Sequence, residues 1–449
     1  MWDRMTNVSN ESRLMENMTV TNDNHLEISG VDSVELAETY GTPLYVYDIS
    51  LVKKKIKAFK DAFKAYENKS QVAYASKAFS SLALYEILAQ EDVSLDVVSG
   101  GELFLAIKAD FPAERIHFHG NNKSWQELRE AIDYNIGCIV VDNFVELSML
   151  KELTESKKKQ MDVLIRVTPG VAAHTHDYIT TGQEDSKFGF DLSSDQAEQA
   201  IRELQDSPYL TVIGLHAHIG SQIFEVDGYQ AVIAKLMAKA KEWENKYDFT
   251  LSVLNTGGGF GIRYTQEDAP LPLSTYADAI MAAVRDQSQK LEMDLPEIWI
   301  EPGRSIIGEA GTSLYTIGTE KSIPGIRKYI SVDGGMADNI RPALYQAKYT
   351  GVLANKVNGE KTEEVSVAGK ACESGDMLIW DLSITKPAQD DILAVFSTGA
   401  YGYSMASNYN RLPRPAVVFV EEGRHALAVK RETYTDFLNL EVSTQQFEG

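Results

Sequence analysis

Three stretches of this chain place residues where they could do chemistry. Lys77 closes the run Val72-Ala73-Tyr74-Ala75-Ser76-Lys77-Ala78, which reads as a short buried strand ending in one cation. A desolvated ammonium loses part of its preference for the charged form and can then condense with a carbonyl. Taken alone, a lysine leaving a strand for water is the plainer explanation. Gly257-Gly258-Gly259-Phe260-Gly261 lets backbone N–H groups converge on an anion with no side chain in the way, although a tight turn would use the same glycines. Glu301-Pro302-Gly303-Arg304 joins a carboxylate to a guanidinium; a glutamate bonded to the loop after it is the ordinary alternative.

A phosphate cradle and a lysine in one mouth suggest a phosphorylated aldehyde cofactor held as an imine, and pyridoxal 5′-phosphate meets both requirements. Its pyridine nitrogen must stay protonated to draw electrons, a task for a carboxylate such as Glu301. His218, in Leu215-His216-Ala217-His218-Ile219-Gly220-Ser221, could stack on the ring or be a core histidine bonded to backbone. Three His-X-His pairs, His117/His119, His174/His176 and His216/His218, support a rival. Strand alternation puts each pair on one face, as in a zinc-dependent barrel hydrolase. That rival leaves Lys77, the glycines and the Glu301 run without a role.

Bringing these stretches together takes a scaffold. Short apolar strands at Val72–Ser76, Leu95–Val98, Ile116–His119, Cys138–Val141, Val163–Val167, Val212–His218, Leu251–Leu254 and Ile298–Glu301 alternate with helical stretches. One of these, Ser124–Tyr134, opens on a capping box of Ser124 and Glu127. The rhythm predicts an α/β fold, a closed parallel (β/α)8 TIM-type barrel over residues 51–310, with an open doubly wound sheet as the alternative. Function in such barrels lies at the carboxyl ends of the strands, and the loops after strands seven and eight commonly hold phosphate. Past residue 310 strand-like segments follow at 328–332, 364–367, 377–380, 392–397 and 417–420, with a hairpin into 426–429 across Glu421-Glu422-Gly423-Arg424. They predict a C-terminal, mostly antiparallel β-barrel or sandwich domain over 311–449. The strand at Pro43–Tyr47 precedes the barrel, so residues 25–50 are expected to join that domain, behind a disordered leader at 1–24.

The 449 residues suffice for two cores, and a net charge of −22 argues against nucleic acid and anionic membranes as partners. Cys138 and Cys372 make no disulfide framework and point to a reducing compartment, the cytoplasm. The polar N-terminal stretch lacks a signal-peptide core, and the uncharged run from Ile392 to Asn410 is broken by Gly399 and Gly402, so no membrane span is expected.

Tyr74-Ala75-Ser76-Lys77, His218-Ile219-Gly220-Ser221-Gln222, Gly257-Gly258-Gly259 and Glu301-Pro302-Gly303-Arg304 together resemble the fold-type III pyridoxal-phosphate decarboxylases, which have an alanine-racemase-like barrel. Within that group, five further motifs are similar to the diaminopimelate decarboxylase family. They are Thr175-His176-Asp177-Tyr178-Ile179, Asp185-Ser186-Lys187-Phe188-Gly189, Arg341-Pro342-Ala343-Leu344-Tyr345, Cys372-Glu373-Ser374-Gly375-Asp376 and Gly399-Ala400-Tyr401. Phe79 stands where family members often carry Asn.

The resemblance implies that Lys77 carries the cofactor, Glu301 faces its pyridine nitrogen and His218 stacks on its ring. Gly258, Gly259, Gly303 and Arg304 would line the phosphate end, with Ser221, Gly257 and Tyr401 also reaching the cofactor. Arg304, Arg341 and Tyr345 would hold the distal carboxylate of a meso-diaminopimelate substrate and Glu373 its distal ammonium, with Tyr401 also touching the substrate. Cys372 would return a proton after carbon dioxide leaves. Because the Cys372-Glu373 segment of the family enters the partner's site, a homodimer with shared active sites is implied as well.

The residues agree with these roles. Pro342 suits the first turn of a helix, which would set Arg341 and Tyr345 four apart on one face. Glu373 and Asp376 beside Cys372 would keep the thiol protonated, against the plain alternative of a buried cysteine. An ornithine or arginine decarboxylase would leave Arg341 and Tyr345 with no distal carboxylate to bind. A non-catalytic homologue would be expected to lack Lys77 or Cys372.

Overall fold

Residues 18–20, read from the sequence as leader, form a strand. In the computed structural model, which describes residues 17–171 and 186–444, β1 (Met18–Val20) pairs antiparallel with β2 (Leu26–Ile28), and β2 with β3 (Val31–Asp32). Asn24 turns the chain at φ 67°, and Thr19 donates its hydroxyl to Glu27 across the hairpin. Such turn chemistry in a short polar stretch leaves no hydrophobic periodicity to read. β4 (Leu44–Asp48) follows and is buried at every position.

The chain divides into two compact units. Residues 53–262 and 269–306 form the first, built on β5 (Ser70–Ala75), β6 (Ser94–Val97), β7 (Ile116–Phe118), β8 (Cys138–Val141) and β9 (Met161–Thr168). A two-residue spur on β9, β10 (Phe190–Asp191), precedes β11 (Leu210–His216), β12 (Val253–Asn255) and β13 (Glu297–Ile300). Every neighbouring pair is parallel, and the pairings of β8 with β9 and of β13 with β5 close eight strands into a ring. The closed barrel is therefore the fold. Its strands are apolar along most of their length because both faces are covered. The barrel interior is filled: the His117 ring stacks on Trp299 at 4.5 Å, near a cluster of Cys138, Val140, Leu164 and Val253. The expected capping box at Ser124 and Glu127 is present, and Asn143 caps the helix Phe144–Lys157.

The second unit holds the residues up to 52, 263–268 and those from 307 onward, so the short run 263–268 falls outside the barrel unit. Its strands are β14 (Gly311–Ile323), β15 (Arg327–Val332), β16 (Gly351–Leu353), β17 (Lys361–Ala368), β18 (Met377–Thr385), β19 (Ile392–Val395), β20 (Ala416–Glu421) and β21 (Arg424–Val429). The sheet runs β18-β17-β15-β14-β4-β20-β21, with β19 also on β14 and β16 on β19. Pairing is mostly antiparallel; β15–β17 and β4–β20 are parallel. β4 thus sits between strands far later in the chain, and its Leu44 and Val46 pack with Leu314, Phe396, Val418 and Val420. β14 escapes a reading by periodicity because its second half, Gly318 to Ser322, is exposed and polar. The β20–β21 hairpin turns through Glu422 and Gly423, both at positive φ, as a two-residue turn requires.

Candidate active site

In the barrel unit, side chains at the carboxyl ends of β7, β11 and β12 meet on one carboxylate supplied by the residue after β13. Glu301 follows β13 by one residue. The Asn255 amide, on the last residue of β12, donates to its Oε1 at 2.6 Å. His119, one residue past β7, brings Nε2 to 2.9 Å from the same oxygen, and His216, the last residue of β11, brings Nε2 to 3.1 Å from Oε2. All four residues are buried. Burial alone would raise the pKa of Glu301, but the two imidazoles facing it outweigh that and hold it well below the ordinary carboxylate range. Asp96, near the end of β6, shows the opposite balance: burial and then the Glu301 charge push its pKa well up. Burial pushes His119 down to about 3 and His117 to about 4, so both rings are neutral near pH 7.

The His-X-His pairs do not act as pairs. His117 turns to Trp299 and to the Gln71 amide at 2.9 Å, while His119 faces Glu301. His216 also faces Glu301, whereas half-buried His218 accepts the Gly258 N–H on Nδ1 at 3.2 Å. His174/His176 lie outside the described residues. His119, His216 and Glu301 could together surround a metal; His216 is hydrogen-bonded to the carboxylate at 3.1 Å, while His119 Nε2 approaches Oε1 to 2.9 Å outside hydrogen-bond geometry. His218 is held neutral first by the protein packed around it, then by the Lys77 and Arg166 charges.

Lys77 corrects the sequence reading. β5 stops at Ala75, and Ser76-Lys77-Ala78 make a 3-10 turn in which the flanking residues are buried and Lys77 is exposed. The turn breaks strand alternation and carries the amine outward, so it is not a buried strand-end lysine. Its charge still bears on Asp96, Glu102 and His218. Strand six likewise ends two residues early, leaving His218 on a loop. Phe79, where the family often has Asn, is wholly buried, and its carbonyl accepts the Tyr74 hydroxyl at 2.8 Å.

The glycines are demanded by crowding. A Cβ on Gly258 would stand 2.1 Å from the Glu301 carbonyl oxygen, and one on Gly303 would stand 3.0 Å from the Ala75 Cβ. Gly257 and Gly259 have φ of 72° and 98°, where side chains are strained. Beside this backbone, Arg304 donates to Ser221 Oγ at 2.9 Å.

In the second unit, Arg341 opens the turn Arg341–Tyr345 and is buried. Its Nη1 donates to the Tyr349 hydroxyl at 2.5 Å, and its guanidinium lies 5.0 Å from the Tyr264 ring centre. Tyr401, held at φ 62°, is within electrostatic reach of it. Tyr345, expected beside Arg341, is exposed, because the helix lasts a single turn. Tyr264 and Tyr349 were not read from the sequence, since no motif contains them. Cys372 and Glu373 are exposed on the loop between β17 and β18. The Cys372 N–H donates to Asn410 Oδ1 at 2.7 Å, another partner the motifs did not reveal. Asp376 does not serve the thiol as expected: its carboxylate is buried and takes the N–H groups of Met336 at 2.6 Å and Ala371 at 2.8 Å.

A sequence profile described as the pyridoxal-binding domain of pyridoxal-dependent decarboxylases matches residues 49–308. The diaminopimelate decarboxylase of Bacillus subtilis is 58% identical over 418 residues, 93% of this chain and 95% of that protein. That of Bacillus methanolicus is 58% identical over 91% of this chain and 94% of its own. The chain belongs to the diaminopimelate decarboxylase family. A crystal structure of the M. jannaschii diaminopimelate decarboxylase in co-complex with L-lysine is 34% identical and superposes with a TM-score of 0.91, covering 96% of this chain and 99% of that one.

As a member of the diaminopimelate decarboxylase family, the protein is a carboxy-lyase that uses pyridoxal phosphate. The barrel residues fit that cofactor. Glycine loops whose Cβ atoms would fill the space, the Ser221 hydroxyl and the Arg304 guanidinium suit a phosphate; an ionised carboxylate suits a protonated ring nitrogen. Gly258→Ala should therefore weaken cofactor retention at least about tenfold, since a 2.1 Å contact with backbone must be relieved by moving the loop. Titration of the cofactor-free protein with pyridoxal phosphate, followed by absorbance, checks this.

Proposed function

We propose that this chain decarboxylates meso-2,6-diaminopimelate to L-lysine and carbon dioxide, the last step of lysine biosynthesis, as a cytoplasmic homodimer. The observation that carries the substrate choice is Arg341. Among the described residues no carboxylate lies within ion-pair distance of this buried guanidinium, which is lined by tyrosines. A buried cation so placed favours an anionic ligand such as a distal carboxylate. The neighbour solved with L-lysine binds the product this reading requires. Among the described residues no helix is long and apolar enough to cross a membrane.

When bound, pyridoxal phosphate supplies a conjugated ring that takes up the electron pair left as carbon dioxide departs. Lys77 brings the amine that holds the cofactor's aldehyde carbon. Glu301 would keep a proton on the ring nitrogen, and His218 would pack against the ring. Gly258, Gly259, Gly303 and Arg304 would hold the phosphate, with Ser221, Gly257 and Tyr401 also reaching the cofactor. Arg341 takes the distal carboxylate in its planar fork, aided by Arg304, Tyr345 and Tyr401, and Glu373 takes the distal ammonium. Cys372 then gives the proton of its Sγ to the carbon that lost the carboxylate. One C–C bond breaks, its electron pair ends in the new C–H bond, and the thiol regains its proton from water.

Of meso-diaminopimelate, ornithine, arginine and lysine, only the first should release carbon dioxide efficiently. A site built to bind a charged group rejects an analogue lacking it by about four orders of magnitude. Comparable turnover of ornithine would mean that the distal pocket is misread. Arg341→Lys keeps the charge but loses the fork, and kcat/KM should fall by about 10- to 100-fold, the worth of a charged hydrogen bond. A change below twofold would remove Arg341 from substrate binding.

A further inference from the structure

Two buried carboxyl groups, Glu301 and Asp96, share the barrel mouth, and like charges this close do not both ionise readily. What separates them is their partners. Glu301 is hydrogen-bonded to the Asn255 amide at 2.6 Å and the His216 imidazole at 3.1 Å, and His119 Nε2 lies 2.9 Å from its Oε1 but 3.7 Å from Asp96 Oδ1, outside hydrogen-bond geometry; Asp96 Oδ1 has no hydrogen-bond partner among the described residues. A carboxylate offers about four lone-pair directions. One direction on Oε1 and one on Oε2 are thus engaged, with the His119 ring packed 2.9 Å from Oε1, which fixes the plane of the group and leaves a direction free on Oε2.

We propose that His119, His216 and Asn255 are positioning residues that clamp Glu301 as an anion and reserve its remaining acceptor direction for the pyridine nitrogen of bound pyridoxal phosphate. The inference rests on the reading that Glu301 faces that nitrogen. The clamp decides where one proton resides. A neutral Glu301 would have to turn an O–H toward the Asn255 or His216 N–H, toward the His119 ring, or toward the cofactor ring, and in the last case the nitrogen would carry no proton. With these neighbours in place the carboxylate stays an acceptor, and the proton belongs to the nitrogen. Because His119 is neutral, it sits against the carboxylate without adding a positive charge that would repel a pyridinium.

The test is the protonation of the ring nitrogen, read directly by 15N NMR of protein loaded with 15N-labelled pyridoxal phosphate. Wild type and His119→Gln, which keeps an N–H donor, should show a pyridinium. The double variant His119→Phe, Asn255→Leu should show the large shift to unprotonated pyridine, with kcat falling about a hundredfold and KM little changed. A pyridinium in the double variant overturns the proposal. Glu301→Gln separates the two ideas, since a pyridinium there means that Glu301 does not govern the nitrogen at all. Should the double variant fail to fold or to hold the cofactor, Asn255→Ala is examined without cofactor by 13C NMR of the Glu301 carboxyl group. Its titration midpoint must rise above that of wild type, and an unchanged midpoint overturns the clamp.

Discussion

Lys77→Ala is expected to bring turnover to background, a loss of roughly four orders of magnitude or more, while leaving the fold intact. The side chain is exposed on a 3-10 turn, so little packing is lost with it. Its buried neighbours Ser76 and Ala78 keep the turn in place. What would disappear is the amine proposed to hold the aldehyde carbon of the cofactor. The glycine loops and Arg304, proposed to hold the phosphate, are unchanged, so some cofactor should still bind without being covalently held. Borohydride reduction followed by peptide mapping checks this: wild-type protein should carry the label on Lys77, and the variant should carry none. A label on any other lysine would sink the assignment.

Mixing two inactive proteins should restore activity. Lys77→Ala and Cys372→Ala are each expected to be inactive, the first for want of the amine and the second for want of the proton donor. If Cys372 serves the partner's site, a mixed dimer has one site with both lesions and one with neither. Random reassortment then restores up to about a quarter of wild-type sites. Cys372 and Glu373 are exposed in the single chain, as residues that act on a partner must be before assembly. A cysteine serving its own chain would leave every site with one lesion, and no activity would return. Differently tagged chains show independently that subunits have exchanged. Mixed dimers without activity would end the shared-site reading.

The barrel was legible in the sequence because its signals are local. A strand buried on both faces is written in four to eight consecutive apolar residues, and a helix start in the spacing of Ser124 and Glu127, so every end of the eight strands falls within two residues of where it is expected. The Lys77, Gly257 to Gly259 and Glu301 to Arg304 runs are likewise contiguous, and each marks a backbone turn at a strand end. Tertiary structure decided what contiguity cannot carry. The partners of Glu301 come from positions 46 and 85 residues away and from a third strand further still, and no spacing rule joins them. The pKa values of Glu301 and Asp96 shift in opposite directions although both are buried carboxyls, since a pKa follows the groups that face it in space. Tyr264 reaches Arg341 because six residues, 263–268, leave the barrel unit for the other one, a departure with no signature in so short a run. The exposure of Lys77 was decided in the same way, by the one residue at which β5 stops pairing and the chain turns.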